Sequence, residues 1–467
     1  MTQWLRTVDQ IIWGTPLLLL LLATGIFFTL RLGCLQLWQL PRALVYAVRR
    51  ERGEGQVSGF GALCTALSST IGTGNIVGVA TALATGGPGA LFWMWVAAFF
   101  GMATKFAECT LAVKYRIRDS QGQMLGGPFL YIERGLGKNW RWLAKAFALF
   151  GAGAGLLGIG TITQIHGIAA AVRDFGGDRL PLLVLGGHPY SSATLLTAVI
   201  VTVLAGAVVL GGIKRIAKVT QVVVPLMLIL YVGTCLFVLV QHAAALPQVL
   251  RQILSCAFSG SAVGGGFLGT AVQMGISRGV FSNEAGLGSA PIAAAAARTR
   301  YPARQGLISM TGTFLDTIVI CTMTGLTILC TQVPLRAAEG VEITARAFER
   351  GFAAVPELGS FLLTVCLIIF AFTTILGWNY YSERCFSYLF RGKRALTVFR
   401  CLFLLALLAG PFLETEAVWA LADSLNGLMI FPNLLALLLL NSEAVAEWRF
   451  FRREIKRPDR RRRFRKK

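Results

Sequence analysis

Apolar residues run along this chain in blocks of about twenty, the length at which a helix crosses a bilayer, divided by short stretches rich in glycine, proline, arginine and lysine. The blocks fall near 11–32, 57–84, 88–113, 143–172, 193–210, 218–240, 253–297, 305–330, 357–383, 396–413 and 416–441. They predict eleven membrane spans in an all-α polytopic protein. The first block has no basic leader and ends in Leu32-Gly33-Cys34 without a small-residue cleavage pattern, so it reads as a retained span.

Two blocks are interrupted where hydrocarbon favours an unbroken helix. Span 2 contains Ser68-Ser69-Thr70-Ile71-Gly72-Thr73-Gly74-Asn75, and span 7 contains Ala262-Val263-Gly264-Gly265-Gly266-Phe267-Leu268-Gly269. With span 1 set aside, ten spans remain, and the two breaks lie five spans apart. Five is odd, so the two five-span units have opposite orientation. That is the pattern of an inverted-repeat transporter with its site at the midplane. The divisions are residues 1–56 (extra span and loop), 57–252 (first repeat), 253–441 (second repeat) and 442–467 (basic tail).

Charge fixes which way this array faces. Of 44 Lys and Arg residues, 33 lie in every second connecting segment, counting the carboxyl-terminal tail, and seven lie in the others. The positive-inside rule therefore predicts an outer amino terminus and a cytoplasmic carboxyl terminus. The net charge of +22 is a topology signal and not a nucleic-acid footprint, because no single soluble domain carries it. The run Arg460 to Lys467 reads as an anchor to anionic lipid. Ten cysteines without CxxC spacing or histidine partners argue against disulfides and zinc, and leave small packing residues.

A broken helix frees N–H and C=O groups that cost several kcal/mol each in hydrocarbon unless something meets them. The amides of Thr73, Gly74 and Asn75 open a half-helix suited to a carboxylate, and carbonyls near Ser68 and Ile71 suit a small hard cation. Glycine at 72 and 74 either admits a ligand to the backbone or merely allows close helix packing. The adjacent Thr373 and Thr374 in span 9 either offer neutral oxygens to an alkali ion or bond back to their own helix. Trp378, one turn beyond Thr374, is expected as an apolar lid. In span 4, Gln164 can bond a zwitterion, whereas His166, two residues on, faces elsewhere.

Charges inside spans are few. Lys105 and Glu108 are expected to neutralise each other, and Asp316 either pairs with Arg278 or supports the cation site from a distance. Ser277 to Gly286 reads as an inner gate or a re-entrant turn. No HExxH, nucleophile elbow or Walker A pattern is present, which argues against an enzyme. A channel would need a repeated filter, and none is seen.

The blocks GTGNIVGVATALATGGPGALFWMW, GMATKFAECTLAVKYR, GGPFLYIERGLG, GGIKRIAKVTQVVVPLM, GISRGVFSNEAGLGSAPIA, FLDTIVICTMTGL and FTTILGWNYYSER stand in order over nearly residues 59–390. Together they resemble the alanine or glycine:cation symporter family, amino-acid transporters of LeuT-type fold. The resemblance implies sodium-coupled symport of alanine or glycine in a bacterial inner membrane. No cofactor is implied beyond sodium as the coupling ion, and no obligate protein partner. It places substrate contacts at Thr73, Gly74, Asn75, Gln164, Gly265, Phe267, Thr374 and Trp378, and sodium ligands at Ser68, Ile71, Thr373 and Thr374. The chain departs from the family pattern at His166-Gly167, at Ala293 to Ala297 where a histidine is frequent, and at Ser382, where glycine is usual. Proton coupling through His166 or Asp316 is the alternative reading.

Overall fold

The computed structural model describes residues 4, 7, 11–119, 122–176, 182–185, 188–258, 269–335, 340–413 and 415–456. In chain order the helices that build the transmembrane body are α1 (Thr15–Arg31), α2 (Gly59–Thr70), α3 (Val77–Gly86) and α4 (Gly89–Lys114). A two-stranded hairpin, β1 (Ile117–Arg118) and β2 (Met124–Leu125), leads to α5 (Pro128–Gly135), α6 (Arg141–Leu157), α7 (Ile162–Gly176), α8 (Ser192–Val209) and α9 (Gly212–Gln241). Then come α10 (Leu246–Ala257), α11 (Thr270–Asn283), α12 (Ala290–Ala294), α13 (Pro302–Thr313), α14 (Thr322–Cys330) and α15 (Val341–Gly351). The last helices are α16 (Pro356–Leu389), α17 (Lys393–Ala409), α18 (Thr415–Leu439) and α19 (Asn441–Lys456).

Several of these begin where the sequence supplies a start signal. Ser58 caps α2 by accepting a hydrogen bond from Gly61 N at 2.9 Å. Prolines open α5, α13 and α16, where a missing N–H leaves no partner unsatisfied. By length and composition, eight of the described helices can cross a membrane, or nine when the bent pair α2 and α3 counts as one span. The 17-residue α1 is apolar but shorter. In α4, 67% of the apolar window is buried, against 28% for Lys393–Phe412, so α4 is central and α17 peripheral. The exposed face of α17 carries Val398, Leu402 and Leu405, a surface suited to lipid.

One end of the molecule gathers segments far apart in sequence. The Arg116 guanidinium donates to Ala295 O at 3.0 Å, Ala297 O at 2.7 Å and Glu54 O at 2.8 Å. Burial pulls Arg116 below the ordinary arginine value, while the Glu54 carboxylate opposes that shift. Arg304 meets Glu51 at 3.3 Å, and Lys114 meets Glu447 of α19 at 3.0 Å. All of these segments are ones the charge pattern assigns to a single side.

Span 4 stands as one apolar span over Lys138–Arg173, with non-helical backbone between α6 and α7 at Gly158 (φ −131°, ψ −127°). Two expectations need correction. Asp316 does not pair with Arg278, which instead lies 3.8 Å from Asp423. The stretch 277–286 is helical as far as Asn283, and the chain then turns at Glu284 (φ 54°), Gly286 (φ 92°) and Gly288 (φ 84°). Seven of the ten cysteines are buried.

Candidate functional site

The site is organised by the bend between α2 and α3, whose axes differ by 63°. In a continuous helix Gly72 N–H would reach Ser68 O. Here it donates to Asn75 Oδ1 at 3.0 Å, so the asparagine side chain replaces the missing helical acceptor. A short 3-10 turn over Thr73–Asn75 then leads into α3. The Thr73 and Gly74 N–H groups find no acceptor among the described residues.

The carbonyls at the bend are met from the side. Ile71 O accepts from Thr374 Oγ1 at 3.3 Å, Asn75 O from Thr324 Oγ1 at 2.9 Å, and Ile76 O from Thr344 Oγ1 at 3.4 Å. Three carbonyls at the bend thus have side-chain donors, while the Thr73 and Gly74 N–H groups stay open, which favours an anionic group there.

Gly72 is required by close approach. A Cβ there would lie 2.6 Å from Thr374 Oγ1 and 3.7 Å from Gln164 Oε1. Gln164 is buried. Its Nε2 is 3.5 Å from Thr73 Oγ1, and its Oε1 has no hydrogen-bond partner among the described residues. A buried amide oxygen left unpaired beside two open backbone donors can receive an ammonium group while the donors receive a carboxylate. Gly377 lets α16 lie directly on α2, since a Cβ at 377 would come within 2.8 Å of Ser68 Oγ and Ser69 N.

The two threonines of α16 diverge. Both bond back to Phe370 O, at 3.0 Å for Thr373 and 2.9 Å for Thr374. Thr374 also reaches the bend, whereas Thr373 Oγ1 lies 3.6 Å from Met227 Sδ on α9. Ser68 is buried with its hydroxyl on Thr65 O at 2.8 Å, which engages that hydroxyl within α2. Gly265 and Phe267 lie outside the described residues.

A second interruption faces the first. The non-helical stretch from Glu284 to Ser289 follows α11, and at the end of α11 the Phe281 ring stands 3.6 Å from a Cβ placed on Gly74. Trp378 is fully buried, but it is not only an apolar lid: its indole Nε1 donates to Glu284 Oε1 at 2.9 Å. Ser289 donates to the other Glu284 oxygen, and Lys105 Nζ donates to Glu284 O at 2.7 Å. Lys105 and Glu108 approach to 4.0 Å, and Glu108 takes its hydrogen bond from Asn433 at 2.6 Å.

Asp316 joins the elements around both interruptions. It sits in a π-helical turn, Phe314–Cys321, between α13 and α14, the kind of distortion that recurs at functional sites. Its carboxylate accepts from Asn75 Nδ2 at 2.8 Å, Ser282 Oγ at 2.9 Å and Thr317 Oγ1 at 2.8 Å. Sequence reading missed Phe281, Ser282 and Glu284 as members of the site, although the charged, glycine-punctuated run SNEAGLG was the available signal.

A cavity of ≈ 560 Å³ leads to the bend from the end opposite the Arg116 cluster. Its lining includes Thr73, Val77, Gly167, Glu349, Glu357 and Trp419.

Known proteins bear on this arrangement. The profile of the sodium:alanine symporter family matches residues 1–466. An uncharacterised transporter of Haemophilus influenzae is 50% identical over 460 residues, covering 97% of this chain and 96% of its own. The sodium/alanine symporter AgcS of Methanococcus maripaludis is 46% identical over 456 residues, with 96% of each chain covered. The probable sodium/glutamine symporter GlnT of Bacillus subtilis is 36% identical, covering 96% of this chain and 90% of its own. Among solved structures, MhsT in complex with L-phenylalanine superposes with a TM-score of 0.61 at 15% identity, over 85% of this chain and 92% of that one, which establishes a shared LeuT-type fold. The chain is a multi-pass membrane transporter and belongs to the sodium:alanine symporter family.

Proposed function

We propose that this protein carries a small neutral amino acid, alanine or glycine, together with sodium by alternating access. In this reading it has eleven spans, ten of them forming two inverted five-span units, in a bacterial inner membrane with the carboxyl terminus in the cytoplasm. The observation that carries the reading is the bend at Ile71–Asn75, where two open N–H groups stand beside an unpaired Gln164 oxygen. The substrate carboxylate meets Thr73 and Gly74, and its ammonium group meets Gln164. The Ile71 and Ser68 carbonyls with Thr374 Oγ1 bind sodium, and the ion and the carboxylate stabilise each other by charge. The ≈ 560 Å³ cavity is the outer entrance, and Glu349 and Glu357 give it a negative rim that favours cation entry.

Proton coupling through Asp316 is disfavoured, because three donors already converge on that carboxylate, as suits an ionised group in a fixed role. The deciding experiment is uptake of labelled alanine and glycine into proteoliposomes at constant pH. We expect an imposed sodium gradient to drive accumulation and a proton gradient alone to have no effect. Uptake that ignores sodium would overturn the proposal.

A further inference from the structure

A second cavity of ≈ 560 Å³ lies at the end of the molecule that gathers the basic loops, between the β1–β2 hairpin, α5, the last turns of α16 and the start of α17. It has no part in the bend at Ile71–Asn75. Five cationic side chains line it, Arg118, Arg134, Lys138, Arg384 and Arg391, against two carboxylates, Asp119 and Glu133.

Both carboxylates are already engaged. Glu133 accepts from the Tyr388 hydroxyl and meets Arg141 at 3.2 Å, and Asp119 lies 3.6 Å from the buried Arg384. Arg384 also holds Glu383 at 2.6 Å, which leaves its Nε without a partner among the described residues. Arg134, Lys138 and Arg391 are exposed and form no ion pair among the described residues. The cavity therefore presents unbalanced positive charge. Its remaining wall is mostly apolar, with Leu125, Leu130 and Leu396 beside Ser387 and Tyr388.

A basic mouth on an apolar wall, set where two spans leave the bilayer, fits one ligand chemistry: a phosphate monoanion attached to an acyl-bearing backbone. A free anion would use the arginines and leave the leucines idle. We propose that this cavity binds the headgroup phosphate of an anionic phospholipid from the adjoining leaflet. Bound there, the lipid bridges α5 to the end of α16. Because α16 also carries Thr374 and Trp378, occupancy stiffens the helix that lines the transport site.

The test uses the full-length protein in detergent, with native mass spectrometry reading retained phosphatidylglycerol and phosphatidylcholine. Wild type should keep phosphatidylglycerol in preference to phosphatidylcholine. The triple variant R134Q/K138Q/R391Q should bind it about a hundredfold more weakly, from three charges near a lipid surface. A control triple at exposed arginines of the same end, R49Q/R50Q/R52Q, should bind as wild type does. Equal retention of the two lipids by wild type, or undiminished binding by the cavity variant, would overturn the proposal. So would an equal loss in the control. Inorganic phosphate at millimolar concentration provides the last arm: a phosphate adduct on wild type that forms without any lipid preference would assign the site to a free anion and refute the lipid. Should the cavity triple fail to fold, the wild-type preference between the two lipids still decides.

Discussion

The two interruptions face each other across the site, yet they treat their free backbone differently. At Ile71–Asn75 the side chains are short, the carbonyls are covered by threonines from three other helices, and two N–H groups stay open. At Glu284–Ser289 long polar side chains close the gap, with Trp378, Ser289 and Lys105 all bonded to Glu284. The first break leaves two donors unmet, as the proposed substrate site requires, whereas the second is completed by the protein. A bend in a membrane helix is therefore a binding site only where the protein withholds partners.

The sharpest way to break this contrast is Gly72→Ala. Its Cβ would stand 2.6 Å from Thr374 Oγ1, inside the close approach that shapes the first bend. Substrate counterflow should fall more than about a hundredfold while the folded protein is still recovered, since a 1 Å misplacement alone costs on that order. Counterflow at wild-type rates would show that the bend is only a packing device. The opposite signature is expected of Glu284→Ala, which strips Trp378 and Ser289 of their acceptor and should lower stability by about 2–5 kcal/mol, read as a reduced melting temperature. Unchanged melting would mean that the second break is not held by this network.

Asp316→Asn tests the link between the two. The substituted amide preserves the shape but can no longer accept from Asn75, Ser282 and Thr317 together. We expect the sodium concentration for half-maximal uptake to rise by about tenfold, the equivalent of one charge-assisted hydrogen bond. The smallest effect should separate the two threonines. Thr374→Ala removes the hydroxyl on Ile71 O and should weaken sodium dependence several-fold, whereas Thr373→Ala, whose hydroxyl lies against Met227 and its own helix, should change it less. Equal effects would place both hydroxyls on the ion.

Much of this was legible without coordinates. The apolar blocks predicted the helices, because burial in lipid demands long runs that leave an unmistakable trace. Gly72 and Asn75 announced the first bend, since few other residues tolerate or repair one. Asn75, however, turned out to spend its amide on Gly72 and Asp316, so it organises the bend from within. The break between α6 and α7 escaped notice because Gly158 sits among glycines and alanines that equally suit close helix packing.

What the sequence determined alone was local in period: most of the long apolar helices and the bend at Ile71–Asn75. What only the tertiary structure decided was partnership. That Asp316 binds Asn75 and not Arg278, that Trp378 ends on Glu284, and that five basic residues distant in sequence converge on one cavity depends on how helices pack at distance. Hydropathy carries no record of such pairings, because residues that meet across a bundle are chosen by geometry, and their separation along the chain is arbitrary.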